Sequence, residues 1–221
     1  MGTAQAESAV SVSRPSRLYF LVIKEFPPTE KGRRYEMRAQ GLRQFAGLKS
    51  DTDRLDPFEL AAHANLLVVP FEEVLALGAS AREHLLGVGK DAWSGGAASI
   101  PLPDGRTLII LNPTHNKNRH AATLMEEVSH VFLGHKANEL AVKDSDGKTT
   151  KTRDYNHAIE EEAYSTGAAA LVPYSGLKKM IREGKTVREI ARHFGVSSAL
   201  VEFRIKISRL WAEYEEHLFK G

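Results

Sequence analysis

Residues 124–135 (LMEEVSHVFLGH) carry two carboxylates and a histidine at helical spacing. Glu126 and His130 are four residues apart, so on an α-helix they lie on one face, and Glu127 lies one step round the helix. Carboxylate oxygens and imidazole nitrogens are ligands that proteins use for divalent metal ions. The spacing therefore indicates one half of a site with mixed nitrogen and oxygen donors.

A second segment, residues 159–173 (IEEEAYSTGAAALVP), places three consecutive glutamates, Glu160 to Glu162, before a run of small residues. The small side chains would let another helix approach closely, and this would bring the carboxylates beside His130. The chain has no cysteine, which excludes thiolate catalysis, disulfides and cysteine-based zinc sites. Any metal must therefore be held by histidine and carboxylates.

In these two motifs and their order, the sequence resembles the ImmA/IrrE family of metallopeptidases over roughly residues 36–210. That family carries His-Glu-x-x-His on its active-site helix and Glu-x-x-Ala on a downstream helix, before a small-residue run and a proline. The resemblance implies that Glu127 is the general base, and that His130 and Glu160 are metal ligands. It also implies peptide-bond hydrolysis.

The chain departs from the family at Glu126, which occupies the position of the first histidine ligand. A carboxylate can bind zinc at about 2.0–2.2 Å, so Glu126 is expected to be the third ligand. The set Glu126, His130 and Glu160 is harder than two histidines and one glutamate. It should shift the preference from Zn²⁺ toward Mn²⁺ or Fe²⁺, or weaken the retention of zinc. One divalent ion, zinc or manganese or else iron, is the expected cofactor.

Other residues near the two motifs leave alternatives open. His135 could be a substitute ligand, although a surface position is favoured, and Glu162 could replace Glu160. Three further side chains are close enough in sequence to assist an oxyanion, but the sequence assigns this role to none of them: Tyr155, His157 and Tyr164. A further alternative is a family member that has lost both its metal and its hydrolytic activity.

The elements around the motifs predict an α+β fold. The family resemblance implies that it is a small zincin-like domain, with its active-site helices and a short sheet that contains a hairpin. The predicted helices are residues 35–48, one that opens at Asp56-Pro57, much of 71–86, 120–133 with Gly134 as its stop, and 157–171; the predicted strands are 17–23, 66–71, 97–102 and 106–111. Residues 143–155 are predicted to be a polar loop.

The hairpin is predicted from Asp104-Gly105, a dipeptide favoured in type I′ turns. The second strand, TLIIL, should be central, and Pro101 and Pro103 should confine the first strand to an edge. An exposed edge beside the active-site helix could hold a peptide substrate by strand addition.

Residues 186–210 are similar to a helix-turn-helix, with Gly195-Val196-Ser197 as the turn. Between residues 178 and 209, nine Lys or Arg side chains stand against three Glu, which makes DNA a possible partner. Packing on the catalytic domain, or recognition of a partner protein, is the other interpretation. The positions that would read DNA are Ser198, Ala199, Glu202 and Arg204.

We expect three regions: a disordered tail (1–16), a metallopeptidase-like domain (17–173) and a helix-turn-helix-like helical unit (174–221). The absence of a long apolar run and of a signal peptide favours a cytoplasmic protein that does not engage a membrane. The family resemblance implies a protein substrate, typically a helix-turn-helix transcriptional repressor. The alternative is a catalytically inactive, metallopeptidase-like regulator that binds DNA or a repressor.

Overall fold

The computed structural model describes residues 25–75, 77–98, 100–135, 139–143, 149–153 and 156–218. The predicted tail (1–16), the predicted strand at 17–23 and Tyr155 lie outside the described residues. The described elements are, in chain order, α1 (Glu30–Phe45), α2 (Pro57–His63), β1 (Leu66–Val69), a 3₁₀ turn (Phe71–Glu73), α3 (Ala79–Leu86), β2 (Gly95–Ala97), β3 (Thr107–Leu111), α4 (Lys117–Phe132), β4 (Glu139–Lys143), β5 (Thr149–Arg153), α5 (His157–Leu171), α6 (Tyr174–Arg182), α7 (Val187–Phe194), α8 (Ser198–Ile207) and α9 (Trp211–Leu218).

The helix boundaries follow from local capping chemistry. Asp56 caps α2 by accepting the Phe58 N–H, and Pro57 occupies the first turn, as predicted. The predicted helix 35–48 begins earlier, because the Thr29 side chain caps α1 at Glu30, and it ends at Phe45. The predicted helical segment 71–86 is divided into a 3₁₀ turn and α3.

A three-stranded sheet has the order β1-β3-β2, so the TLIIL strand is central, as predicted. It pairs parallel with β1 and antiparallel with β2. The predicted partner strand 97–102 differs in its bounds, because the regular edge strand is Gly95–Ala97. Antiparallel hydrogen bonds nevertheless continue across the predicted hairpin, since the Ala98 N–H donates to the Leu108 carbonyl and the Leu102 N–H donates to the Arg106 carbonyl. The type I′ turn is wrong. That turn requires positive φ at both central residues, whereas Gly105 (φ 83°) has positive φ and Asp104 does not.

The predicted polar loop 143–155 is also wrong over its described part. Strands β4 and β5 form an antiparallel pair from Glu139↔Arg153 to Lys143↔Thr149. The β-branched residues Thr149, Thr150 and Thr152 suit an extended strand, but their polarity hides the apolar alternation on which a strand prediction depends.

One buried core extends from α1 and the sheet through α4 and α5 to the C-terminal helices. A buried ion pair reinforces this connection: Arg204 of α8 donates to Glu36 of α1 at 2.8 Å, and both side chains are almost fully buried. Arg204 also donates to the Val172 carbonyl, and Glu36 accepts the Tyr174 N–H. Helix α8 is therefore fixed to both α1 and the end of α5.

The α+β class is confirmed, whereas the helix-turn-helix assignment of α7 and α8 and the division of the chain after residue 173 stay predictions. Arg204 is unsuited to its predicted role in reading DNA, because burial beside Glu36 removes it from the surface. None of the described helices is long and apolar enough to cross a membrane.

Candidate metal centre

Helices α4 and α5 approach closely where α5 carries a glycine. A Cβ atom at Gly167 would lie 3.1 Å from the Met125 carbonyl oxygen and 3.1 Å from Ser129 Oγ. The Ser129 hydroxyl is itself directed inward, where it donates to the Met125 carbonyl at 2.7 Å. The small residues of α5 thus allow the helix contact that the sequence predicted, and this contact sets the distance between the two motifs.

The three predicted metal ligands meet across this helix pair. One donor atom from each of Glu126, His130 and Glu160 lies within 4.8 Å of the others. His130 Nε2 lies 3.3 Å from Glu160 Oε2. Two ligand atoms at 2.0–2.2 Å from a tetrahedral ion are about 3.3–3.6 Å apart, so this pair is spaced to share a divalent ion. The donor atoms of the three side chains therefore fit a divalent ion. That these side chains bind one stays a prediction.

A chain of contacts supports the imidazole of His130 through Nδ1, the ring nitrogen that does not face Glu160. His130 Nδ1 lies 3.1 Å from Nδ1 of His135, and His135 Nε2 lies 3.0 Å from Glu162 Oε2. Arg38 of α1 contacts the other oxygen of Glu162. His135 and Glu162 lie outside the three-residue ligand group, and they connect His130 to α1 and α5.

The expected surface position of His135 is wrong, since its side chain is 11% exposed. The cause is the end of α4. Gly134 adopts φ 68°, and the His135 N–H donates back to the His130 carbonyl at 2.9 Å. This six-residue return is the Schellman arrangement, which brings the residue after the glycine over the last helical turn. The Gly134-His135 pair was the sequence signal for this contact.

The contacts define how neutral imidazoles would arrange their protons. Glu162 only accepts hydrogen bonds as a carboxylate, so His135 carries its proton on Nε2. Nδ1 of His135 is then an acceptor for an N–H at Nδ1 of His130. His130 consequently presents the lone pair of Nε2 to Glu126 and Glu160, which is the state that binds a metal ion.

Glu162 is suited to anchor this chain as a carboxylate. Its burial raises the pKa of the carboxyl, but the hydrogen bonds from Arg38 and His135, together with the charge of Arg38, hold that pKa below its ordinary value. The Glu162 carboxyl is therefore ionised at neutral pH.

The remaining candidates occupy distinct positions around the ligand group. Glu127 follows Glu126 on α4 and is half-buried. Tyr164 packs edge-on against Phe203, with ring centroids 5.1 Å apart. Burial and then the charge of Glu126 raise the pKa of the Tyr164 hydroxyl, so this group stays a hydrogen-bond donor at neutral pH. His157 is exposed in the first turn of α5.

Two cavities, of about 590 Å³ and 360 Å³, share Glu126 and Tyr164 in their walls. Helix α8 contributes to both, and sequence reasoning missed this role. The available signal was Phe203 and Ile207, whose spacing of four residues marks an apolar helix face.

The sequence of the chain matches one family model, that of the IrrE N-terminal-like domain of peptidases, over residues 87–206. This segment is more than half of the 221 residues and contains both motifs and nearly all of α8. No curated protein and no solved structure matched the chain.

Proposed function

Because the chain belongs to the ImmA/IrrE family through its IrrE N-terminal-like peptidase domain, we propose that it is a metal-dependent endopeptidase whose ligands are Glu126, His130 and Glu160. The observation that carries the proposal is the convergence of these three side chains from two helices. A pair of carboxylates on one helix alone would not point to a metal site. Donor atoms that converge from two separate helices at ligand spacing support one.

The ion, when bound, polarises the scissile carbonyl and makes a neighbouring water more acidic. Glu127 is the proposed general base, which takes a proton from the attacking water and transfers it to the leaving amine. Tyr164, protonated and bordering both cavities beside Glu126, is placed to donate a hydrogen bond to the developing oxyanion. Glu162 and His135 hold the His130 ring in orientation.

The proposed metal differs from the zinc that two histidines and a glutamate would favour. Two carboxylates and one imidazole form a hard and negatively charged set, which suits Mn²⁺ or Fe²⁺ better than a softer set does. Zinc remains compatible with the same residues, since carboxylate and imidazole are both among its ligands.

The proposed substrate is an extended segment of a specific cytoplasmic protein, of which a helix-turn-helix repressor is the type implied by the family. Strand β2 supports binding of an extended chain. It lies at one end of the sheet order, and a Cβ atom at Gly95 would meet the Thr123 side chain of α4 at 2.7 Å, so the strand runs directly beside the active-site helix. Addition of a peptide strand here would place it along α4.

The decisive measurement is the metal content of the protein purified without chelators, by mass spectrometry, for the wild type and His130→Ala. We expect near-stoichiometric Mn, Fe or Zn in the wild type and its loss in the variant. His63→Ala, at an exposed histidine, is the matched control and should retain the metal.

No metal in the wild type, even after addition of excess ions, would contradict the proposal and favour a regulator without catalytic activity. Such a regulator would bind DNA or a repressor protein, and binding to duplex DNA would be recognised by its fall with rising salt concentration.

A further inference from the structure

Helix α8 presents one regular face to the candidate metal centre. Ala199, Phe203 and Ile207 recur at intervals of four residues, so they lie along one side of the helix. Ala199 lines the smaller cavity, and Phe203 and Ile207 line the larger one. This helix, for which the sequence left DNA recognition and packing on the catalytic domain as alternatives, thus lies along the candidate metal site.

The two cavities, together called the groove, share Glu126 and Tyr164 in their walls and so lie beside the ligand group. Ala199 and Ile207 are about 12 Å apart along the helix, at 1.5 Å per residue. This distance corresponds to about three or four residues of an extended peptide. The groove therefore has room for the residues on both sides of a scissile bond.

The two ends of the groove differ in chemistry. The larger cavity, of about 590 Å³, has four large aromatic and aliphatic side chains in its wall, Tyr35, Tyr164, Phe203 and Ile207, together with charged side chains such as Lys31, Glu161 and Lys206. The smaller cavity, of about 360 Å³, is lined mainly by polar side chains, among them Ser94, Asn116, Asn118 and Arg119. An apolar side chain would lose water-exposed surface in the larger cavity, whereas a polar one would find partners in the smaller cavity.

The wall that α8 provides is fixed in place. Its Arg204 is buried against Glu36 and the Val172 carbonyl, so the helix is held to α1 and to the end of α5, two helices that also line the larger cavity. Asn118 of α4 also donates to the Val196 carbonyl at 3.1 Å, just before α8 begins. A wall held at both ends can discriminate between side chains of different size.

From this arrangement we infer that α8 is a specificity element of the peptidase: Phe203 and Ile207 form a pocket for a large aliphatic or aromatic side chain next to the scissile bond. The inference rests on the proposed function, which it deepens by naming the class of substrate residue. The volume of the larger cavity is within the range of about 300–1,000 Å³ that small-ligand pockets occupy.

The test uses two hydroxamates that carry the same chelating group, acetohydroxamic acid and 3-phenylpropionohydroxamic acid, with the metal-loaded full chain. Burial of the phenyl group should make the second compound bind roughly 10- to 100-fold more tightly, as measured by calorimetry. Ile207→Ala should reduce this ratio several-fold, and Ile207→Asp should abolish it. Leu75→Asp, at a side chain that is 96% exposed, is the control and should keep the full ratio.

Equal affinity of the two hydroxamates, or a ratio unchanged by Ile207→Asp in a folded variant, would overturn the pocket while leaving the peptidase assignment intact. Thermal unfolding of each variant checks that it is folded.

A measurement on the metal-free protein distinguishes the proposed pocket from the proposed peptidase function. N-acetylphenylalaninamide, but not N-acetylalaninamide, should shift the Ile207 methyl resonance of the apo protein. That shift, together with no binding of either hydroxamate, would contradict the peptidase assignment and support the pocket. The absence of the shift would count against the pocket itself.

Discussion

The imidazoles of His130 and His135 face each other through their Nδ1 atoms at 3.1 Å, and His135 contacts Glu162 through its other nitrogen. A proposed metal ligand is thus oriented by a histidine that lies outside the ligand group. Because such supporting contacts fix the orientation and the tautomer of the ring, their loss is expected to lower the affinity for the metal ion rather than the stability of the fold.

His135→Phe should lower metal affinity by about 10- to 100-fold, since the ring remains but the acceptor for His130 Nδ1–H is lost. Competition with a chromophoric chelator measures this change. His135→Gln, which restores an acceptor, should recover part of the affinity, and His63→Phe should have no effect. Equal affinities of His135→Phe and the wild type would show that the contact does not act on the ligand.

Glu127→Gln should abolish peptide hydrolysis while leaving the metal content and the melting temperature near those of the wild type. The amide cannot accept the proton of the attacking water, and the residue lies outside the proposed ligand group. Cleavage of a peptide library by the metal-loaded protein, read by mass spectrometry, measures the effect. Undiminished cleavage would remove Glu127 from the mechanism.

Glu126→His restores the usual His-Glu-x-x-His pattern and should raise the affinity for Zn²⁺ relative to Mn²⁺. The reason is that imidazole is a softer and uncharged donor. Parallel titrations of the two ions into the chelator-treated wild type and variant give the ratio of affinities. If the ratio stays constant, Glu126 is not a ligand.

Glu36→Gln should reduce the free energy of unfolding by about 3–5 kcal/mol, because Arg204 would be left charged and buried without its partner. Urea denaturation measures the loss. The paired replacement Glu36→Leu with Arg204→Met should recover most of it, since neither charge remains buried. Asp104→Asn, which breaks the exposed pair with Arg106, should leave the stability nearly unchanged.

The sequence was sufficient for the features that depend on short-range patterns. Helix α5 has its predicted bounds, because the Asn156 cap and Pro173 limit it from both sides. The end of α4 was likewise predicted from Gly134. The central position of the TLIIL strand was also predicted from its apolar and β-branched character.

The features that were missed depend on contacts between distant residues. Arginine is a residue type that is usually exposed. The burial of Arg204 depends on its ion pair with Glu36, 168 positions earlier in the chain. The placement of Phe203 beside Tyr164 depends in the same way on how α8 packs against α5. Periodicity shows that a helix face is apolar, but it does not show whether that face covers a core or lines a cavity.

Gly167 has a consequence for the proposed metal site, although it contributes no donor atom to it. A Cβ atom there would require the Met125 carbonyl or Ser129 to give way by a few tenths of an ångström. Any such displacement would move α4, which carries Glu126 and His130, relative to α5, which carries Glu160. The absence of a side chain at Gly167 therefore helps to keep the three proposed donor atoms near one another.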